Sequence, residues 1–207
     1  MPFHKILAWI RSIFGHRKTF SLGFYGNVSV GKSTLANRIS KDWTGEEFTK
    51  VSEVPHETRM VVKKERVAVK VNGRELDMNL LDMPGIATKV DYRDFVQYGM
   101  SQSEAQQRAK EATKGIVEAI KWLEHVDAAL VVMDATHDPY TQVNLTILGN
   151  LEARSIPVII VANKIDLKKA RVDRVKEAFP QHSVVGVSAK TGENVNKLYD
   201  AIASKVK

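Results

Sequence analysis

The sequence predicts an α/β domain, a three-layer sandwich whose mostly parallel sheet is covered by helices on both faces. Three observations carry this. Short, wholly apolar runs at 128–134 and 157–163 read as strands buried on both sides. Amphipathic helical segments alternate with them, which is the pattern of strands joined by helical crossovers. Two alternating runs flank Asn72-Gly73, a strong hairpin signal that adds one antiparallel strand.

The elements follow in order. Phe20 to Tyr25 is an apolar strand, and an apolar-periodic helix runs from Leu35 to about residue 40. Residues 41–60 are polar with weak periodicity and read as a loop. Strands follow at 60–71 and 75–82, then a second long polar stretch at 86–100. Ser101 with Glu104 forms a capping-box pattern that opens a helix to about Glu124. Beyond it come strand 128–134, helix 141–154, strand 157–163, helix 171–179, strand 183–188 and helix 193–206. Lys63, Lys64 and Arg66 are expected to make a solvated sheet edge.

Residues 1–18 stand apart from the domain predicted over 19–207. Phe3, Ile6, Leu7, Ile10, Ile13 and Phe14 recur at helical spacing, and Lys5, Arg11, Arg17 and Lys18 are accompanied by no acid. The pattern is a basic amphipathic helix. Its apolar stripe has four candidate destinations: the domain itself, a second subunit, an anionic membrane surface, or RNA.

Composition narrows the class. The chain has 207 residues, 43% of them hydrophobic and 27% charged, enough for one domain with a sizeable core. It contains no cysteine, so disulfides, thiolate metal sites and cysteine nucleophiles are excluded. No run approaches the roughly 18 apolar residues of a membrane span. A net charge of +7 favours anionic partners. A cytoplasmic protein, peripheral at a membrane if residues 1–18 bind one, is the expectation.

The chemistry sits at strand ends. Gly26-Asn27-Val28-Ser29-Val30-Gly31-Lys32-Ser33 fits G-x-x-x-x-G-K-[ST], with a strand before it and a helix after Thr34. Glycines let the backbone wrap closely, so that successive N–H groups and the helix N-terminus point at phosphate oxygens. Lys32 supplies a point charge for the β- and γ-phosphates, and the Ser33 hydroxyl can ligate Mg²⁺. Asp82 ends the second hairpin strand and can hold Mg²⁺; Gly85 leaves room for its N–H to reach a γ-phosphate. Asn163-Lys164-Ile165-Asp166 closes another strand, and Asp166 offers two acceptors to the N1–H and N2–H₂ of guanine, donors that adenine lacks. Ser188-Ala189-Lys190 closes the last strand, where a backbone N–H can meet guanine O6.

In that order, all on one sheet edge, these motifs resemble the Era-like group of small GTPases, in the translation-factor-related class of P-loop GTPases. The resemblance covers about residues 19–206. It implies a P-loop NTPase fold with one antiparallel hairpin strand, GTP or GDP as ligand, Mg²⁺ as cofactor, hydrolysis to GDP, and switching between nucleotide states. It implies phosphate contacts from residues 26–34 and Lys32, and Mg²⁺ contacts from Ser33 and Asp82. It also implies that Thr58, in Glu57-Thr58-Arg59, is the threonine of the first switch, with Thr44 and Thr49 nearby as rivals. Gly85 takes the second-switch contact, and Asn163, Lys164, Asp166 and Ala189 take guanine. Trp43 or Phe48 is a candidate to stack on the base, with loop packing preferred.

Two departures qualify the resemblance. Ras-like GTPases place a water-orienting glutamine where this chain has Ile86, and a glycine where it has Val28. Era-like members share such hydrophobic substitution, so slow intrinsic hydrolysis without a glutamine is expected, switched on by a protein partner. The water is then placed by backbone near Thr58 and Gly85, by a partner residue, or by a monovalent cation near Ser29. The second departure lies after Lys190, where only one closing helix is expected and no RNA-binding KH domain. A non-enzymatic reading remains beside this one: a nucleotide-stabilised interaction or membrane-docking module with negligible hydrolysis.

Overall fold

A computed structural model describes residues 19–49, 58, 60–71, 74–87 and 90–204. The helix predicted for residues 1–18 and the Asn72-Gly73 turn lie outside the described residues. The described chain forms β1 (Thr19–Gly26), α1 (Lys32–Thr44), β2 (Val62–Val71), β3 (Arg74–Asp82), α2 (Tyr92–Val96), α3 (Gln102–Lys121), β4 (Ala128–Asp134), α4 (Gln142–Ala153), β5 (Val158–Asn163), α5 (Val172–Ala178), β6 (Ser183–Gly186) and α6 (Val195–Ser204). A 3₁₀ turn at Trp122–His125 closes α3.

The sheet order is β2-β3-β1-β4-β5-β6. β2 and β3 pair antiparallel, and every other pair is parallel. β1 is the strand from which the order departs in both directions, to β3 on one side and β4 on the other. In open parallel sheets the crevice beyond the strand ends at such a reversal is where ligands bind.

Alternation along the central strands sorts side chains to two cores. Phe20, Leu22, Phe24, Leu130, Val132, Ile159 and Val161 face Leu35 and Ile39 of α1 and Leu198 and Ile202 of α6. Val131, Met133, Ile160 and Ala162 face Ala119 of α3, Ile147 and Leu151 of α4, and Val175 of α5. Helices therefore cover both faces, as the continuous apolar strands require. α2 packs Phe95 onto Ala105 and Ala112, on a third, smaller cluster shared with α3.

Local sequence chemistry places the ends. The Ser101–Glu104 capping box is formed in full. Three expectations are corrected. α1 continues to Thr44, because the apolar face of Ile39 is carried on by Trp43 against the core and Gly45, at φ 81, caps the helix. The stretch at 86–100 contains α2, capped by the Asp91 side chain, which accepts from the Arg93 N–H. Lys64 is not simply solvated: its ammonium donates to Ser40 and Thr44 hydroxyls on α1, at 3.2 and 3.1 Å, and pairs with Glu46. Lys63 is exposed and pairs with Glu65 within the edge strand.

Gly26 is where the fold is least tolerant of a side chain. Its φ is 150°, and a Cβ there would stand 2.2 Å from the Val132 carbonyl oxygen on β4. Gly26→Ala is expected to lower the unfolding free energy of the nucleotide-free protein by about 2–4 kcal/mol, measured by urea denaturation.

Candidate functional site

The phosphate loop leaves β1 at Gly26 and enters α1 at Lys32. Ser29 and Gly31 both take left-handed backbone, at φ 58 and 93. Such turns aim consecutive N–H groups into one concavity. The α1 N-cap is Gly31, with no side-chain cap, so the first-turn N–H groups keep their donors for an anion. Lys32 reaches back across the loop and donates to the Asn27 carbonyl at 2.7 Å. The next strand end is stitched on by the Ile86 N–H, which donates to the Gly26 carbonyl at 3.2 Å.

Beside the loop lies a cluster of oxygens. The Ser33 and Thr58 hydroxyls are 3.1 Å apart, and Thr58 donates to Asp82 Oδ2 at 3.4 Å. Thr49 donates to the same oxygen at 2.9 Å. Asp82 is fully buried, and its other oxygen, Oδ1, has no hydrogen-bond partner among the described residues. Burial pushes its carboxyl above the usual range, opposed by the Ser33 hydroxyl, the Lys32 charge and the two threonines. Burial likewise pulls Lys32 down to about 8, against the attraction of Asp82. An orphaned buried carboxylate oxygen beside two hydroxyls is a hard, all-oxygen donor set and fits Mg²⁺. No group of three or more His, Cys, Asp or Glu lies together among the described residues.

Thr49 is the residue here that the sequence did not single out above its rivals. Its placement comes from Asn37, buried on α1. The Asn37 amide donates to the Thr49 carbonyl at 2.7 Å and accepts from the Phe48 and Thr49 N–H groups at 3.0 and 2.9 Å. The sequence carried no signal for it, since the helical neighbours of Asn37 are the polar Ser33, Thr34, Ser40 and Lys41. Of the stacking candidates, Trp43 lies 5.8 Å from the Tyr199 ring, and both Trp43 and Phe48 pack on the α1-side core.

Next to the loop, Val28 and Gly85 touch so closely that a Cβ on Gly85 would stand 3.0 Å from the Val28 Cα. Ile86 is buried in the core under α3 and α4. Its side chain is part of the packing, 6% exposed.

The other strand ends meet the same loop. Asn163, at the end of β5, donates to the Val30 carbonyl at 2.8 Å and accepts from the Ala189 N–H at 2.9 Å. The approach is tight: a Cβ on Gly31 would stand 2.3 Å from the Asn163 amide nitrogen. Lys164, at φ 68, places its ammonium 2.7 Å from Asp134 Oδ2 at the end of β4. Burial would raise Asp134, but its bonds to Lys164 and Thr136 hold it below the usual carboxylate range. Asp166 is exposed on the turn that follows. β6 ends at Gly186, short of the expected residue 188; Ser188 and Ala189 are buried just beyond it, and Lys190 is exposed.

This edge brings together a phosphate loop, a magnesium-competent cluster and two loops tied by one asparagine. The model of the 50S ribosome-binding GTPase family matches residues 21–164. The chain belongs to that family. Its relatives include elongation factor 4 of Mycoplasmopsis synoviae, 31% identical over 202 residues, and GTPase Der of Campylobacter hominis, 27% identical over 196 residues. Each alignment covers 91% of this chain, but only 28% of the elongation factor and 37% of Der. Among solved structures, Era in complex with MgGDPNP and a segment of 16S ribosomal RNA is 25% identical with a TM-score of 0.67, covering 92% of this chain and 57% of that one. An Aquifex aeolicus Era variant bound to GDP and aluminium fluoride gives the same TM-score at 24% identity and shares the fold. The chain is thus an Era-like GTPase domain. No helix among the described residues is long and apolar enough to cross a membrane.

The buried charges of this GTPase domain set its pH dependence. Asp82 has a folded pKa above its unfolded value, so the nucleotide-free protein loses stability as pH rises from the ordinary carboxylate range through that folded pKa, and recovers it as pH falls back. Lys32 is the mirror case: its cost is full below about 8 and fades as pH rises toward 10.5. Asp82→Asn is expected to stabilise the nucleotide-free protein at pH 7 by about 1 kcal/mol, a melting-temperature rise of about 2–4 °C. The gain should shrink as the pH is lowered, followed by thermal melts across pH 4.5–7, a range set by the ordinary carboxylate values of about 4. The melting shift induced by Mg²⁺ and GDP should be lost.

Proposed function

We propose that this chain is a guanine-nucleotide switch that binds GTP with Mg²⁺ and hydrolyses it to GDP and phosphate, slowly on its own and without a glutamine. The observation that carries the reading is the convergence of Ser33 and Thr58 hydroxyls on Asp82, whose Oδ1 has no partner among the described residues. Ser33, Thr58 and Asp82 would hold Mg²⁺, which neutralises charge on the phosphate oxygens. Backbone N–H groups of residues 27–34 bind the phosphates, and Lys32 adds its charge where transferring oxygens become more negative. Burial makes that ammonium worth more than it is in water. Asp166 selects guanine by accepting from N1–H and N2–H₂, and leaves its carboxylate unpaired against adenine.

At the position where Ras-like GTPases carry the water-orienting glutamine stands Ile86, which is packed in the core and has no hydrogen-bonding side chain. Backbone groups near Thr58 and Gly85 take that role in our reading, and a protein partner accelerates it. GTP would order the segments around Thr58 and after Gly85 through its γ-phosphate, and hydrolysis would release them. The family's ribosome-binding description, the Era complex with 16S ribosomal RNA and the net charge of +7 support an RNA-containing assembly as partner. The basic residues Lys5, Arg11, Arg17 and Lys18 would supply an additional contact to an anionic partner.

Single-turnover phosphate release with Mg²⁺ and limiting GTP tests hydrolysis: a slow but Mg²⁺-dependent first-order release is expected. Complete stability of bound GTP over hours would favour the interaction-module reading instead. Thr58→Ala should slow release about 10²-fold or more while leaving GDP affinity within a few-fold, the signature of a contact made to the γ-phosphate side. Asp166→Asn should shift preference from GTP toward xanthosine triphosphate, read by competition against a fluorescent nucleotide; ATP competing equally with GTP in the wild type would refute the base assignment.

A further inference from the structure

One side chain on the phosphate-binding helix grips the loop at the other end of the nucleotide site. Arg38 lies six residues into α1 from Lys32, about 9 Å along the axis. Its guanidinium donates from Nη2 to the Lys190 carbonyl at 2.9 Å and from Nε to the Ala189 carbonyl at 3.4 Å. Gly192 packs beside the guanidinium, and its φ of 87 lets the loop turn there: a Cβ would stand in ordinary contact, 3.5 Å from the Arg38 Cζ, but in a backbone conformation that side chains rarely adopt.

The loop that Arg38 holds has spent nearly all of its donors. The Ser188 N–H goes to the Glu193 carbonyl, the Gly192 N–H to the Ser188 carbonyl, and the Thr191 N–H to the Ser188 hydroxyl. The Glu193 N–H goes to the Thr191 hydroxyl, and the Ala189 N–H to Asn163 Oδ1. Of the N–H groups of residues 188–193, that of Lys190 is the donor without a partner among the described residues. It belongs to the same peptide plane as the Ala189 carbonyl. In a trans peptide the N–H points opposite to the C=O. Fixing the Ala189 carbonyl on α1 therefore turns the Lys190 N–H away from α1.

We infer that Arg38 is a positioning residue for base selection, holding the 189–190 peptide so that the Lys190 N–H is presented to guanine O6. The inference rests on the guanine-binding reading above and adds the residue that orients the donor. Phosphate and base contacts then share one rigid lever, since Lys32 and Ser33 sit on the same helix as Arg38. A lysine cannot replace it fully, because a single ammonium lacks the planar fork that spans two successive carbonyls.

The test separates base from phosphate. Wild type, Arg38→Met and Arg38→Lys are compared by competition against a fluorescent GDP, using GDP, IDP, ADP and inorganic tripolyphosphate, all with Mg²⁺. IDP keeps O6 and lacks N2–H₂. Arg38→Met should lose about tenfold in affinity for GDP and for IDP alike, leaving their ratio unchanged, because the ratio reports Asp166. Tripolyphosphate affinity should stay within twofold, and preference for GDP over ADP should fall. Arg38→Lys should recover part of the loss. Unchanged GDP affinity in Arg38→Met, equal losses for GDP and tripolyphosphate, or a changed GDP/IDP ratio would each overturn the positioning role. If instead the wild type holds ADP as tightly as GDP, the base-reading itself fails, and this inference with it.

Discussion

The structure depends most on one buried amide. Asn163 is 2% exposed, and its two polar atoms join the Val30 carbonyl of the phosphate loop to the Ala189 N–H of the last loop. Three segments, far apart in sequence, are thereby held at one distance. The amide offers a donor and an acceptor on one rigid plane, so it can serve a carbonyl and an N–H at once; a carboxylate or an amine of similar size could serve only one of them. Gly31 is the complementary constraint, since any side chain there would collide with that amide. The signature glycine thus answers to packing against β5 as well as to phosphate approach.

Around that bridge, the fold accepts groups that its own stability would exclude. Asp82 and Lys32 are both buried, and each is pushed toward its neutral form. Hydroxyls from Ser33, Thr49 and Thr58 offset part of the cost, and Asp82 Oδ1 is left without a partner among the described residues. A nucleotide-binding domain needs such residual demand, because a site fully satisfied by protein has nothing to gain from a ligand. The Asn37 clamp on residues 48 and 49 shows how the surrounding chain holds this arrangement in place.

Much of this was readable in advance because each signal is local. The phosphate loop needs glycines at fixed offsets and a lysine and serine at the helix start, and all appear within one short segment. Strand and helix types followed from period, with errors at ends: α1 ran one turn further than its pattern suggested, since Trp43 is half-buried by a tertiary contact with Tyr199. α2 was hidden in a polar stretch because its single fully buried residue, Phe95, gives no periodicity. Thr49 stood, with Thr44, only as a rival of Thr58, because loop threonines acquire meaning only from the carboxylate they meet. Lys64 looked like edge charge, and only the packing of β2 beside α1 gives it partners.

The sequence by itself determined the layered α/β class, the phosphate loop and the candidate guanine-reading residue Asp166, because these rest on residue type at short spacing. Tertiary structure decided which residues act together. Asp82 and Thr58 lie 24 positions apart, Arg38 and Lys190 lie 152 apart, and Asn163 and Val30 lie 133 apart. No periodicity spans such distances. Their meeting follows from β1 lying between β3 and β4, which brings distant strand ends to one edge where buried polar groups must find each other.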